Sequence, residues 1–146
     1  MPSRDATTHW EGDLQTGSGR VTLDSSNAGE FDVSFPTRSG DPDGQTSPEE
    51  LIAAAHSSCL AMSLSNVIAA AGLNPVSLDV SAEVTLGPDR ANGGFAISGI
   101  AITIAGKVDG IDSAKFEEFA KAAERGCPVS KALTGTTITV DATLLG

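Results

Sequence analysis

Between Leu51 and Ala71 the chain carries no Asp, Glu, Lys or Arg, and this run limits the architectures open to it. Apolar residues fall on every face of a helix drawn through it, which predicts a central, buried helix rather than an amphipathic surface one. The start is well signalled. Ser47 suits the N-cap, Pro48 the first helical position, and Glu50, three residues after Ser47, completes a capping box. Glu49 and Glu50 also lie in the favourable field of the helix N-terminus. Gly72 and Pro75 end the helix. About 24 residues of helix span roughly 36 Å, more apolar surface than one face of a six-stranded sheet covers. Burial by a second copy of the chain is the simplest remedy, so a homodimer is expected.

The remaining segments read as strands and shorter helices. His9 to Gly12, Gly19 to Asp24 and Glu30 to Phe35 are strand-like and separated by Gly, Ser and Asn. Pro36 to Ser47 is dense in Pro, Gly and Asp and reads as a loop. Val76 to Leu86 alternates cleanly. Phe95 and Ile97 alternate, then the phase slips at Ser98-Gly99 and resumes at Ile100, Ile102 and Ile104, as a β-bulge would cause. Asp112 caps a helix with Phe116, Phe119, Ala120 and Ala123 on one face, ended by Gly126. Pro128 opens a short helix through Leu133, and Ile138, Val140, Ala142 and Leu144 mark a last strand. The order βββ-α-ββ-αα-β, with antiparallel meanders and segregated helices, is an α+β fold. With 146 residues, no repeat and no linker, residues 1–146 are expected to form a single domain.

Composition narrows the function. The net charge of −10, with no cluster of Lys or Arg, argues against nucleic-acid binding. No run of about 18 apolar residues spans a membrane, and the polar N-terminus, Met1 to Glu11, has no signal-peptide core, so a cytoplasmic protein is expected. Two His and no Cys-x-x-Cys spacing argue against a closed zinc site; no metal and no cofactor are expected. Asp41 and Asp43 lack a full calcium-loop signature. Ser57, Ser58 and Ser63 lack a nucleophile elbow. Gly93-Gly94 joins two strands and is no phosphate loop.

What remains is a pair of cysteines, Cys59 and Cys127, the only two in the chain. In a reducing compartment such a pair reads as reactive thiols rather than a staple. Cys127, in R-G-C-P-V-S, precedes a helix start and neighbours Arg125 and Lys131, all of which favour a thiolate; a small hydrophobe beside a turn is the competing reading. Cys59 lies mid-helix, where a cysteine is commonly inert packing. His56, one turn earlier, could take its proton or stabilise its thiolate, or simply be hydrogen-bonded.

The segment T-S-P-E-E-L-I-A-A-A-H-S-S-C-L-A-M-S-L together with G-C-P-V-S-K-A-L resembles the OsmC/Ohr family of thiol-dependent hydroperoxide reductases. H-W-E-G-D-L and F-P-T-R-S-G fit its OsmC branch, and the match runs from about His9 to the final strand. The resemblance implies an intertwined homodimer, with antiparallel sheets wrapped around long central helices and active sites at the dimer interface. It implies that Cys59 is the peroxidatic thiolate and that Cys127 resolves it through an intramolecular disulfide. It further implies that Arg38 pairs with the reactive thiolate and that Glu49 orients Arg38. The substrate would be an organic hydroperoxide, with hydrogen peroxide reduced less efficiently. The reductant would be a dithiol, for which the family suggests a dihydrolipoyl group.

These roles are physically coherent. A guanidinium stabilises a thiolate and polarises peroxide oxygens, and a sulfenic acid condenses with a second thiol before further oxidation. On one continuous helix, however, Glu49 and Cys59 are about 15 Å apart. Arg38 must bridge them, the helix must break, or the groups must come from two subunits. Read without the resemblance, Arg38 is a solvated loop charge and Glu49 a helix-dipole residue. Two other functions stay open: a dimeric binding module for an apolar ligand, and a redox-switch protein without turnover.

Overall fold

The computed structural model describes residues 1–146, and the fold is α+β. The chain divides into two compact units, Met1–Leu51 and Ile52–Gly146.

The first unit is a three-stranded antiparallel sheet in the order β1-β2-β3, from β1 (Thr7–Glu11), β2 (Ser18–Thr22) and β3 (Glu30–Val33). Trp10 lies opposite Gly19, and a Cβ at Gly19 would stand 2.7 Å from the Trp10 ring, so only glycine lets the indole lie across β2. The expected loop after β3 instead begins with a helical turn, α1 (Phe35–Ser39). Pro36 supplies the fixed φ of a first turn, and Ser34 caps it by accepting a hydrogen bond from the Thr37 backbone N–H. Five residues are too few for a periodic signal to register, which is why a Pro/Gly-dense stretch reads as loop.

Helix α2 (Pro48–Ala70) runs unbroken for 23 residues, which removes a broken helix from the three ways of connecting Glu49 with Cys59. Ser47 caps it, its hydroxyl accepting from the Glu50 N–H at 3.1 Å. The capping box is only half made: the Glu50 carboxylate accepts from the Thr46 hydroxyl at 2.6 Å instead of reaching back to Ser47.

The second unit holds β4 (Pro75–Pro88), β5 (Phe95–Val108), α3 (Ser113–Gly126), α4 (Pro128–Ala132) and β6 (Thr137–Leu144). Its sheet has the order β4-β5-β6. The register shifts where Thr85 pairs with Gly99 and Leu86 with Ile97, leaving Ser98 as the extra residue of the bulge. One pairing departs from the antiparallel expectation: β5 and β6 are parallel. Parallel neighbours need a crossover of a dozen residues or more, and α3 and α4 supply it. Alternation identifies a strand's faces but carries no information on its direction.

Leu60, Leu64 and Ile68 form the buried stripe of α2 and join Phe116, Phe119, Ala120 and Ala123 of α3 and Ile100, Ile102, Ile104 and Val108 of β5 in one core. The tip of the Phe116 ring packs against Gly106, where a Cβ would collide with it. Burial of α2 is thus one-sided. Met62 is 69% exposed, and Ala54, Ala55 and Ser58 are exposed with it. By length and composition α2 is also apolar enough to cross a bilayer, with a mean hydropathy of 1.5 over its 18-residue window. The expectation that no such run exists is corrected: Ser, His and Asn interrupt the apolar residues without lowering the average far enough.

Candidate functional site

Two constellations carry the expected site residues. In the first unit, Arg38 occupies the last turn of α1 and Glu49 the first turn of α2. The guanidinium donates from Nη2 to Glu49 Oε1 at 2.7 Å and from Nε to both carboxylate oxygens at 3.1 Å. The Glu49 side chain is 10% exposed and that of Arg38 is 33% exposed, so water screens the pair weakly on the carboxylate side. Arg38 is therefore no free loop charge. One edge of the guanidinium is committed to Glu49, which fixes its plane, and Nη1 makes none of these bonds. Arg38 also borders an apolar cavity of about 360 Å³ in this unit, walled by Trp10, Leu14, Val21, Phe35 and Leu51.

In the second unit, Cys59 on α2 and Cys127 at the start of α4 are free thiols whose Sγ atoms lie 3.0 Å apart. A residue in mid-helix and one 68 positions later meet because the α3–α4 crossover returns the chain against the buried stripe of α2. Cys127 has no exposed surface. Cys59 is half-buried and lines an open cleft of about 450 Å³ with Ser58, Met62, Ser63, Asn66, Gly126 and Pro128.

The two thiols differ electrostatically. Burial pushes the Cys59 thiol up, and its hydrogen bond with Cys127 adds to that, against an opposing effect of the Val129 N–H. Burial acts on Cys127 in the same direction but is outweighed by hydrogen bonding from Cys59, from the Ser130 N–H and hydroxyl, and from the Val129 N–H, so its pKa is lowered. The Cys127 side chain makes no cap hydrogen bond to the helix it starts. The hydrogen-bonding surroundings therefore favour the ionised form at Cys127 over that at Cys59. The proposed basic neighbours of Cys127 are not the cause: Arg125 and Lys131 are exposed, and polar groups of α4 itself act in their place.

His56 does not approach Cys59 as a base. Its Nε2 lies 2.7 Å from Ser130 Oγ, and the ring is fully buried. Ser130 is the polar residue at this site that sequence reasoning passed over. The available signal was its spacing: Ser130 lies three residues after Cys127 on a Pro-initiated turn, one turn along the same short helix.

Comparison with known proteins agrees with this architecture. A family model described as OsmC-like protein matches residues 40–142. Peroxiredoxin OsmC of Escherichia coli (strain K12) is 42% identical over 125 residues, which cover 86% of this chain and 85% of that protein. The organic hydroperoxide resistance protein OhrA of Bacillus subtilis (strain 168) is 32% identical over 117 residues, covering 79% and 78%. Among solved structures, the organic hydroperoxide resistance protein OhrB of Bacillus subtilis matches with a TM-score of 0.73 at 26% identity, covering 95% of this chain and 98% of that one. With more than half its length matched by the family model and a relative 42% identical over most of both chains, the chain belongs to the OsmC-like protein family.

Proposed function

We propose that this protein is a thiol-dependent peroxidase that reduces organic hydroperoxides to alcohols. The observation that carries the reading is the contact of two free thiols, one open to a cleft and one sealed. The names of the relatives, a peroxiredoxin and an organic hydroperoxide resistance protein, support the same chemistry. The Cys59 thiolate attacks the outer peroxide oxygen, the O–O bond breaks, and the alkoxide takes a proton to leave as the alcohol. Cys59 is left as a sulfenic acid. The Cys127 thiolate attacks its sulfur, the S–O bond breaks, hydroxide leaves as water, and a disulfide forms. An external dithiol, a dihydrolipoyl group by family resemblance, returns two electrons and two protons. Exposure favours Cys59 as the first nucleophile, since Cys127 has no surface for a peroxide to reach.

Cys59 requires a cation to become a thiolate, because its surroundings within the second unit push its pKa up. Arg38, aimed by Glu49, serves that purpose in a homodimer whose interface covers the open apolar face of α2. The apolar cavity beside Arg38 suits an alkyl or aryl group rather than hydrogen peroxide. Both units, residues 1–146, act as one OsmC-like domain in this assembly, and the location is cytoplasmic. The deciding experiment is consumption of cumene hydroperoxide with dithiothreitol or dihydrolipoamide as reductant. Wild type turns over and Cys59→Ser does not; no consumption by wild type returns the protein to the ligand-binding or redox-switch readings.

A further inference from the structure

The contact of Cys59 with Cys127 is flanked on both sides by hydrogen bonds that tie α2 to the joint between α3 and α4. His56, Cys59 and Ser63 stand at i, i+3 and i+7 on α2 and therefore share one face. Opposite them the chain runs the other way. His56 Nε2 lies 2.7 Å from Ser130 Oγ, and Cys59 Sγ lies 3.0 Å from Cys127 Sγ. The Ser63 hydroxyl donates to the Ala123 carbonyl at 2.8 Å. Each step of about one turn along α2 is thus matched by a step of about one turn back through residues 130, 127 and 123.

Cys127 is the joint itself. It is the one residue between α3, which ends at Gly126, and α4, which begins at Pro128, and its backbone is extended, with φ −68° and ψ 119°. Its N–H turns to the Glu124 carbonyl, so the Ala123 carbonyl loses the donor that a continuing helix would bring to it. The Ser63 hydroxyl takes that place. On the other side of the joint, α4 is five residues long, too short to be stable without tertiary contacts. Ser130 is 4% exposed and His56 has no exposed surface, yet His56 Nδ1 has no hydrogen-bond partner. Stability alone is a poor reason for such a pair, because apolar groups of the same shape are nearly neutral in its place and leave no polar atom bare. What the hydrogen bond adds to packing is direction: it forms at one placement of α4 on α2.

We infer that His56 and Ser63 are positioning residues which, acting through Ser130 and the Ala123 carbonyl, fasten the α3–α4 joint to α2 on both sides of the thiols and so favour closure of the Cys59–Cys127 disulfide. Closure joins the two sulfurs and releases two electrons and two protons. With the joint already held, little further freedom is lost when the S–S bond forms. The use of that closure to resolve a sulfenic acid rests on the peroxidase reading; the tendency to close does not.

The test is the equilibrium of the reduced protein with oxidised glutathione, which takes up the two electrons and two protons and becomes two molecules of reduced glutathione. The oxidised fraction is read by mass spectrometry after thiol alkylation. The double variant His56→Leu/Ser130→Ala, which removes both polar partners together, and Ser63→Ala are each expected to lower the equilibrium constant about fivefold, the scale of one net hydrogen bond. His56→Gln, whose amide reaches the place of Nε2, stays near wild type. Denaturant unfolding of the reduced proteins is measured alongside, since a purely structural role lowers the unfolding midpoint and leaves the glutathione constant where it was. Should the double variant not fold, Ser63→Ala and His56→Gln decide. A folded double variant or a Ser63→Ala protein with the wild-type constant overturns the inference. So does a His56→Gln constant as low as that of Ser63→Ala. No peroxide enters the measurement, so a protein that consumes no hydroperoxide yet shows these shifts loses the peroxidase reading and keeps this one.

Discussion

The sulfurs of Cys59 and Cys127 stand 3.0 Å apart, about 1 Å beyond the length of an S–S bond. Oxidation therefore asks for side-chain rotation rather than movement of α2 or α4. The sulfurs are close enough to react and different enough in burial and proton affinity to take separate roles.

Those roles are expected to separate on oxidation. Cys59→Ser forms no disulfide and consumes no peroxide. Cys127→Ser reacts once, stops at a sulfenic acid on Cys59, and is driven by excess peroxide to the sulfinic form. Mass spectrometry of peroxide-treated protein distinguishes these species. A sulfenic acid on Cys127 in Cys59→Ser, with Cys127→Ser inert, would reverse the assignment in favour of the thiol whose pKa is lowered.

Arg38→Ala is expected to reduce peroxide turnover by roughly 100-fold, as loss of a preorganised charge-stabilising donor does. It is also expected to cost about 1–3 kcal/mol of stability, because it strands the Glu49 carboxylate, whose side chain is 10% exposed. A loop arginine would have been neutral for folding. Adding Glu49→Gln restores much of the stability and none of the activity, measured by thermal unfolding and peroxide consumption. Full activity in Arg38→Ala would make Arg38 structural only.

The open face of α2 predicts self-association. Wild type sediments as a dimer at micromolar concentration, and Met62→Lys, which places a charge where Met62 is 69% exposed in the single chain, shifts it towards the 14.8 kDa monomer. A wild-type monomer would remove the dimer from the proposed mechanism.

Acid should weaken the fold through His56. Its native pKa lies below the ordinary value of 6.5, so below that value the unfolded chain takes up a proton that the native ring refuses. The contribution is complete above the unfolded pKa and is lost as pH falls below it, with a slope of at most about 1.4 kcal/mol per pH unit. Denaturant midpoints measured between about pH 7 and pH 5 should fall less steeply in His56→Gln than in wild type. Parallel curves would mean that His56 becomes protonated without unfolding.

Phe116→Ala is expected to destabilise by about 3–5 kcal/mol, because its ring is fully buried and packs against Gly106. Gly106→Ala should also destabilise, by driving a Cβ into the same ring. Calorimetric unfolding of the two variants checks both.

Much of the local structure was legible in one dimension. Ser47, Pro48 and Gly72 bracket α2, Asp112 caps α3 by accepting from the Lys115 N–H at 2.8 Å, and the phase slip at Ser98-Gly99 marks the bulge. Caps, turn residues and side-chain periodicity act over one or two turns of backbone, so neighbouring letters specify them. The parallel sense of β5 and β6, the partner of Glu49 and the company of His56 were decided at long range. The α3–α4 crossover places Ser130, 74 residues from His56, within hydrogen-bonding distance of the imidazole that a reading of α2 alone would have paired with Cys59. Local sequence named two thiols but could not rank them: their acidities depend on burial and on donors gathered from α2 and α4, which meet only when the chain is folded.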